Sequence, residues 1–203
     1  MPERQPTGGP VRVAVTALAL SIAAFAGWVA SEGDGPTAVR ADGEVVHQPY
    51  IPTKGDVPTI GHGSTRYEDG TPVRMTDAPI TRARATELAR NLHSEEEARF
   101  KASLPGVALT QGEFGVYLDF TGQYGIGNWR GSSMRRELLI TPGLPAAAAA
   151  PHYRKACDAL LLYRRQGGRD CSLPQNWGPK GCKGVWTRQQ ARHAKCLAEQ
   201  VAQ

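Results

Sequence analysis

The sequence predicts an α+β protein in which a small antiparallel β-sheet precedes a mainly helical lobe, with a hydrophobic helix near the N-terminus. Three observations lead to this fold class. Residues 11–30 are apolar, residues 32–80 are rich in glycine, proline and threonine with short β-like runs, and helical patterns with capping signals dominate from Thr81 onward. A sheet followed by consecutive helices is typical of α+β proteins that carry the sheet at one edge.

The apolar stretch Val11–Ala30 is twenty residues long and carries one charge, Arg12, at its edge. At about 1.5 Å per residue, a helix of this length covers about 30 Å, the hydrocarbon thickness of a bilayer. Arg4 precedes the stretch, which favours a cytoplasmic N-terminus and an exported remainder.

Four interpretations of this stretch remain open. It can be a permanent anchor, a signal peptide cleaved near Ala24-Phe25-Ala26, a buried core helix, or a signal-anchor that later leaves the membrane. We favour the last, because seven of the twenty residues are alanine and the lipid would hold such a helix weakly.

The next region predicts a small antiparallel sheet of two to four strands. In "AVRADGEVVHQPYI", two β-like runs flank Asp42-Gly43, which is a strong hairpin signal. The stretch "YEDGTPVRM" repeats the pattern at Asp69-Gly70.

Helix-start signals recur along the rest of the chain. The predicted helices are one capped by Thr81 and ending at Leu104-Pro105-Gly106, one opened by the capping box Thr110–Glu113 and stopping in "GIGN", a short one from Ser132 or Ser133, one over Ala146–Arg165 ending at Gly167-Gly168, and a last one opened by Thr187 and Gln190.

Four cysteines lie in the last quarter of the chain: Cys157, Cys171, Cys182 and Cys196. Their spacings match no common zinc finger, so we expect no metal and no other cofactor. Four clustered thiols indicate two disulfides and an oxidising compartment. The sequence leaves the pairing open; we favour Cys157–Cys196 between two helices and Cys171–Cys182 across a loop rich in glycine and proline.

Composition narrows the set of partners. Of the 203 residues, 40% are apolar and 21% charged, which is ordinary for one globular domain with an appendage. The net charge of +5 suits a polyanionic surface such as a cell envelope. No basic run is interleaved with aromatic residues, so no nucleic-acid partner is expected. We expect a monomer.

Four segments together resemble one known family. "PTIGHGST", "QYGIGNWRGSSMRREL", "ACDALLLYRRQGG" and "GVWTRQQARHAKC" follow in the order found in phage endolysins of glycoside hydrolase family 24, and the likeness covers roughly residues 28–203. These endolysins are lysozyme-like muramidases that cut peptidoglycan. The resemblance therefore implies a lysozyme-like fold, a peptidoglycan substrate and host cell lysis.

The resemblance is closest to the subgroup whose N-terminal helix is a signal-arrest-release segment. It implies that residues 1–31 form this helix and residues 32–203 the lysozyme-like catalytic domain. The chain would then lie in the host bacterial inner membrane as a single-pass protein with a cytoplasmic N-terminus, and would later be released to the periplasm.

The family's active site contains Glu, eight residues, Asp, five residues and Thr-x-Gly-x-Gly. Thr59, Gly61 and Gly63 match the last part. Glycines let a strand bend close to a sugar, and the threonine hydroxyl can position a water, although the same motif also suits a hairpin tip. Thr53 occupies the position of the family Asp, and the nearest acid is Asp56.

Two residues compete for the role of the acid. Glu32 directly follows the apolar stretch and precedes Gly33, as in the family, but lies 27 residues before Thr59. Glu44 lies 15 residues before Thr59, which is the family interval, but within a predicted hairpin. We favour Glu32, because the acid must project rigidly from a helix end and a hairpin can absorb inserted residues.

We therefore expect Glu32 to protonate the glycosidic oxygen between N-acetylmuramic acid and N-acetylglucosamine, while a water held by Thr59 with Thr53 or Asp56 attacks. Lytic transglycosylation is an alternative outcome, and a non-catalytic peptidoglycan-binding envelope protein or a membrane-tethered inhibitor is an alternative function. The expected catalytic residues are Glu32, Thr59 and Asp56, and the expected substrate-binding residues are Thr53, Gly61, Tyr124, Gly127 and Asn128.

Overall fold

The computed structural model describes residues 11–20, 25, 29 and 33–200. The chain divides into two compact units. One consists of Met1–Ala19 together with Arg99–Gln203, and the other is Leu20–Ala98. The elements in chain order are β1 (Val13–Ala14), β2 (Thr37–Val39), β3 (Val45–His47), β4 (Ile80–Thr81), α1 (Arg82–Ala102), β5 (Ala108–Leu109), α2 (Gln111–Arg130), α3 (Ser133–Leu138), α4 (Ala146–Ala159), β6 (Arg165–Gln166), β7 (Arg169–Asp170) and α5 (Lys183–Ala198). Short 3-10 turns lie at Val15–Ala17, Leu160–Leu162 and Pro174–Asn176.

The unit Leu20–Ala98 contains a three-stranded antiparallel sheet in the order β2, β3, β4. Strands β2 and β3 form a hairpin whose turn includes Gly43, at a φ of 85°. A second turn includes Gly70, also at a φ of 85°, and joins Arg66 to Pro72 through an isolated bridge. The predicted sheet and both predicted turns are confirmed.

A small apolar core holds this unit together. Ile60, Val73 and Leu88 are buried, and partly buried side chains from a neighbouring turn, from β4 and from α1 pack around them. Helix α1 starts where predicted, because Thr81 Oγ1 accepts a hydrogen bond from Arg84 N at 3.1 Å. Since Leu88 of α1 shares a core with Ile60, the helix supports the segment that contains the Thr-x-Gly-x-Gly motif.

The other unit is built around α2, which begins at the predicted capping box with both of its hydrogen bonds present. Four of its aromatic side chains are completely buried: Phe114, Tyr117, Phe120 and Trp129. The prediction that the regular helix stops in "GIGN" is confirmed at Gly125, whose φ and ψ are not helical. At this kink, where Gly125 has a φ of 81°, a second helical segment begins, and it runs to Arg130.

Helix α3 begins at Ser133 with Ser132 as its cap, as predicted. Two predicted helix boundaries are wrong. Helix α4 ends at Ala159 and not at Arg165, because the chain turns there and β6 pairs with β7. The last helix begins four residues before Thr187, with Cys182 at its N-cap position.

Both favoured disulfides are present. Cys157–Cys196 joins α4 to α5 across 39 residues of sequence, and Cys171–Cys182 closes a loop of 11. All four cysteines are buried. The predicted pairing is confirmed.

The N-terminal stretch departs from the predicted single helix over residues 11–30. Val13–Ala14 pairs as β1 with β5, and a 3-10 turn follows, so the prediction is wrong for residues 13–17. In this part of the chain, β1 pairs with β5, Val15 N donates a hydrogen bond to Val107 O, and the Val15 side chain is buried. Phe25 and Val29 are helical, and residues 21–24, 26–28 and 30 lie outside the described part. Among the described residues, no helix combines the length and apolar character of a membrane span.

A buried ion pair holds the N-terminal stretch on the helical unit. Arg12 Nη2 donates to Glu113 Oε1 at 2.6 Å, and Arg12 Nε donates to Glu113 Oε2 at 2.9 Å. The guanidinium also lies 3.7 Å from the centre of the Tyr153 ring. The Arg12 and Glu113 side chains are only 11% and 1% exposed. Glu113 is also the acid of the α2 capping box, so one carboxylate serves both purposes.

Replacing Arg12 should therefore destabilise the fold. We expect Arg12→Ala to lower the free energy of unfolding by about 3–5 kcal/mol, because Glu113 would remain buried without its counter-charge. Urea denaturation measures this change. The matched control is Arg40→Ala, whose ion pairs with Asp42 and Glu44 are about half exposed and whose loss should cost less than about 1 kcal/mol. Equal stability of the two variants would contradict the role of the pair.

Candidate functional site

The Thr-x-Gly-x-Gly motif forms a tight chain reversal. Thr59 exchanges two backbone hydrogen bonds of 2.8 Å with Tyr50, and Ile60 exchanges two of 2.8 and 3.1 Å with Ser64. Gly61 and Gly63 have φ values of 60° and 83°, which residues with side chains rarely adopt. The sequence thus needs glycine at both positions for the bend.

Gly61 also allows a close approach to α1. A Cβ added there would lie 2.8 Å from Ala85 Cβ, and Ala85 itself is buried. Gly61 was predicted to bind substrate, and its position gives it a packing role on α1.

The Thr59 hydroxyl has a defined hydrogen-bonding state. Thr59 is only 3% exposed, and its Oγ1 donates to Val57 O at 3.1 Å. A hydroxyl has one proton, so the Thr59 oxygen can only accept a further hydrogen bond. Thr59 can therefore orient a water but cannot take the proton that the water loses.

The structure brings Thr53 and Asp56 into direct contact. Asp56 Oδ2 accepts from Thr53 N at 3.1 Å and from the Thr53 hydroxyl, and Asp56 N donates to Thr53 O at 3.0 Å. Both residues are exposed. The contact stabilises the turn and fixes the Asp56 carboxylate at the surface.

Glu32 lies outside the described residues, but its successor Gly33 has informative contacts. Gly33 N donates to the carbonyl of helical Val29 at 3.2 Å, and its φ is 74°, the geometry of a glycine that ends a helix. Gly33 O lies 3.2 Å from His62 Nδ1, inside the motif. The carbonyl group of Gly33, the residue after Glu32, is therefore hydrogen-bonded to the Thr59–Gly63 segment.

Glu44, the alternative acid, sits at the solvent-exposed end of the β2–β3 hairpin. Its carboxylate accepts from Arg40 Nη1 at 3.2 Å, and its side chain is 46% exposed. Its backbone N donates to Asp42 Oδ1 at 3.0 Å. These contacts are those of a surface turn residue.

One further acid of this unit, Glu68, is not suited to proton donation. Hydrogen bonds from Arg84 lower the pKa of Glu68 to about 2, against a smaller opposing effect of burial, and Asn91 adds a further bond. Glu68 therefore stays ionised at neutral pH. Its contacts tie the Gly70 turn to α1.

In the helical unit, Tyr124 is engaged within the protein. Its hydroxyl donates to Tyr163 O at 3.1 Å and accepts from Gln189 Nε2 at 2.8 Å, and its ring stacks on Phe120. Asn128 is exposed, and its Nδ2 donates to Tyr124 O at 2.7 Å. Gly127 is exposed as well. That these three residues bind substrate stays a prediction.

Sequence reasoning missed a cluster of metal-ligand side chains. Asp34, His47 and His62 each offer a ligand atom, and these atoms lie within 4.8 Å of one another. The two histidines are buried. The three residues follow no known metal-binding spacing, so only the folded chain reveals them.

The close packing of Gly61 leads to a stability prediction. We expect Gly61→Ala to lower the free energy of unfolding by about 2–4 kcal/mol, from the left-handed backbone together with the clash on Ala85. The control is Gly55→Ala, which has a φ of 97° but no heavy atom within 4 Å of an added Cβ. That variant should lose only about 1 kcal/mol. Thermal or urea unfolding measures the stability of both variants. Equal losses of stability in Gly61→Ala and Gly55→Ala would rule out the packing role of Gly61.

Known proteins match this chain at the level of family and fold. The phage lysozyme family model matches residues 42–174. No curated protein matches at a significant level. Three solved structures are similar to the chain, and each match covers 89% of it. An endolysin from Escherichia coli O157:H7 phage FAHEc1 is 19% identical, with a TM-score of 0.59 and 94% of its own chain covered, and a mutant of P22 lysozyme is 22% identical, with a TM-score of 0.58 and 99% covered. The muramidase domain of SpmX from Asticaccaulis excentricus is 16% identical, with a TM-score of 0.55 and 98% covered.

At these identities the structural likeness shows the fold. The predicted fold class is confirmed: the fold is lysozyme-like, with small antiparallel sheets and a mainly helical lobe.

Proposed function

The chain belongs to the phage lysozyme family, and on that premise we propose that it is an endolysin that hydrolyses the β-1,4 bond between N-acetylmuramic acid and N-acetylglucosamine. The family makes it a lysozyme, with peptidoglycan as its substrate. The observation that carries the residue assignment is the hydrogen bond between His62 Nδ1 and Gly33 O. Glu32 is one peptide bond from Gly33, so this bond supports a position for Glu32 close to the Thr59 segment.

In the proposed reaction, Glu32 acts as the general acid. Its carboxyl proton passes to the glycosidic oxygen as the bond to the anomeric carbon breaks, and a water adds to that carbon. The Thr59 hydroxyl donates its own proton to Val57 O, so its oxygen accepts a hydrogen bond from the water and orients it. The proton that the water loses passes to the Asp56 carboxylate, and exchange with solvent restores both acids.

Two substitutions test the choice of acid. We expect Glu32→Gln to lower the rate of murein hydrolysis by at least about a hundredfold, the contribution of a positioned general acid. Glu44→Gln should leave the rate near that of the unchanged chain, because Glu44 is an exposed turn residue paired with Arg40. Turbidity loss of purified murein gives the rate, with circular dichroism as the check on folding.

Full activity of the Glu32→Gln variant would end this assignment, and loss in Glu44→Gln alone would transfer the role to Glu44. Mass spectrometry of the products separates two reactions. A reducing end indicates hydrolysis, whereas an anhydro end, lighter by one water, indicates transglycosylation. If the unchanged chain binds murein without cleaving it, it is a binding protein of the envelope.

We also propose that the N-terminal stretch is a signal-anchor that first holds the chain in the host inner membrane, N-terminus cytoplasmic, and later releases it to the periplasm as a monomer. The described contacts support a released form. Val15 and Leu18 are 2% and 7% exposed, and Arg12 pairs with Glu113. These contacts could not exist while the same residues lay in lipid. The two disulfides suit the oxidising periplasm.

Release should depend on the weakly apolar composition of the stretch. We expect the triple variant Thr16→Leu, Ser21→Leu and Gly27→Leu to stay in the membrane and to delay lysis, because each leucine favours insertion by about 0.3–0.6 kcal/mol near a helix centre. The matched control replaces the same three positions by alanine. Cell fractionation and lysis timing are the measurements. Unchanged fractionation and timing of the leucine variant would contradict release from the membrane.

A further inference from the structure

We propose that Asp34, His47 and His62, called here the Asp34 cluster, bind a divalent transition metal ion, for which Zn²⁺ fits best. One ligand atom from each residue lies within 4.8 Å of the other two. The three residues come from the chain after Gly33, from the end of β3 and from the Thr59–Gly63 segment. Binding itself does not depend on the proposed function.

His47 provides the strongest argument. It is completely buried, and its Nδ1 lies 2.6 Å from Asp34 O. A carbonyl oxygen only accepts hydrogen bonds, so Nδ1 carries a proton, and in the neutral ring Nε2 carries a lone pair. Among the described residues this Nε2 is buried with no hydrogen-bond partner. A buried, unpaired acceptor is costly to the fold, and a metal ion would use it.

The state of His47 is the one that metal-binding histidines adopt. Such histidines donate their second ring N–H to a backbone carbonyl or a carboxylate, which fixes the ring and leaves the other nitrogen for the metal. In His47 the carbonyl of Asp34 serves this purpose. The fold has therefore oriented the ring before any metal arrives.

His62 supplies the second imidazole. It is 2% exposed, and its ring centre lies 5.3 Å from that of His47. Its Nδ1 lies 3.2 Å from Gly33 O and 3.6 Å from Asp34 Oδ1, and its Nε2 lies 3.4 Å from Thr86 Oγ1. A metal ion bound at Nδ1 would replace the contact with Gly33 O, and Nε2–H would donate to Thr86 Oγ1. The Thr86 hydroxyl donates to Arg82 O at 3.0 Å. His62 is thus held between the Asp34 carboxylate and α1.

Asp34 supplies the anionic ligand and the route of entry. Its side chain is 41% exposed, so a hydrated ion can reach the carboxylate from solvent. Arg82 Nη2 binds Asp34 Oδ2 at 2.5 Å, while Oδ1 faces His62. Arg82 can remain as the outer partner that orients the carboxylate, as hydrogen-bonded groups around metal ligands commonly do.

The donor set selects the kind of metal. Two imidazoles and one carboxylate suit Zn²⁺ with a water in the fourth position, whereas Ca²⁺ and Mg²⁺ prefer shells of six or more oxygens. Bonds to zinc of about 2.0–2.2 Å require the ligand atoms to close to about 3.3 Å from one another. Asp34 Oδ1 already lies 3.6 Å from His62 Nδ1, so this pair needs little movement.

The alternative is an internal ion pair in which a protonated His62 faces Asp34. That arrangement satisfies the Asp34 carboxylate without a metal but leaves His47 Nε2 unpartnered among the described residues. Metal binding gives His47 Nε2 a partner and is therefore favoured. Metal binding predicts that added zinc raises Tm, whereas the ion pair predicts no change in Tm.

Bound metal would link three segments of the unit Leu20–Ala98 through one centre. It would hold Asp34, two residues after Glu32, against the segment that contains Thr59, in place of the His62–Gly33 hydrogen bond. Any effect on catalysis rests on the proposed function, so binding and stability are measured separately from activity.

The test uses the full chain with its disulfides intact, freed of metal by a chelator and dialysed, then titrated with ZnCl₂ by calorimetry. We expect one saturable site. At a hundredfold excess of zinc over its Kd, Tm should rise by about 5–10 °C. His47→Gln, His62→Gln and Asp34→Asn should each weaken binding by at least about tenfold. The control His193→Gln alters an exposed His193–Asp158 pair and should bind as the unchanged chain does.

The absence of saturable binding or of a Tm shift would overturn the proposal. So would undiminished binding in the Asp34→Asn variant, which changes a partly exposed side chain and is expected to fold. Circular dichroism of every variant without metal shows whether it is folded. Murein hydrolysis is scored independently, so an inactive chain that binds zinc would contradict the proposed function and leave the metal site in place.

Discussion

The hydrogen bond between His62 Nδ1 and Gly33 O determines where the chain goes after the helix that contains Val29. It connects that point to a reversal that has little freedom of its own, because Ile60 is buried in the core and Gly61 lies against α1. The candidate acid adjoins one side of this bond and the water-orienting hydroxyl adjoins the other. The proposed chemistry therefore depends on a contact made largely by backbone and by a buried histidine, and not on the spacing of acids in the sequence.

Arg12 shows how one residue can serve two environments. In the sequence it flanks an apolar stretch of membrane-spanning length, where a positive charge sets orientation. In the fold it neutralises Glu113, which also caps α2. Since burial of Glu113 without a counter-charge is unfavourable, docking of the N-terminal stretch and the start of the central helix are energetically connected. Such a connection would favour the released form once the stretch leaves the membrane.

Local signals predicted much of the fold, and the misses share a physical cause. Turn dipeptides, capping residues and clustered cysteines act over short distances, so the hairpins, the start of α2 and both disulfides followed from sequence. β1 depends on a partner strand far along the chain, and the end of α4 depends on the pairing of β6 with β7. The Asp34 cluster likewise forms only by tertiary contact. For the candidate site, the motif residues were identifiable, while the contact that joins them was not.

The central claim is that residue 32 faces the scissile bond beside Thr59. A crystal structure of the Glu32→Gln variant with a bound oligomer of N-acetylglucosamine and N-acetylmuramic acid tests it most directly. The predicted result is a side-chain amide at position 32 within about 3.2 Å of the glycosidic oxygen, with a water on Thr59 Oγ1. A side chain at position 32 directed away from the sugar, with Glu44 at the glycosidic oxygen, would contradict it.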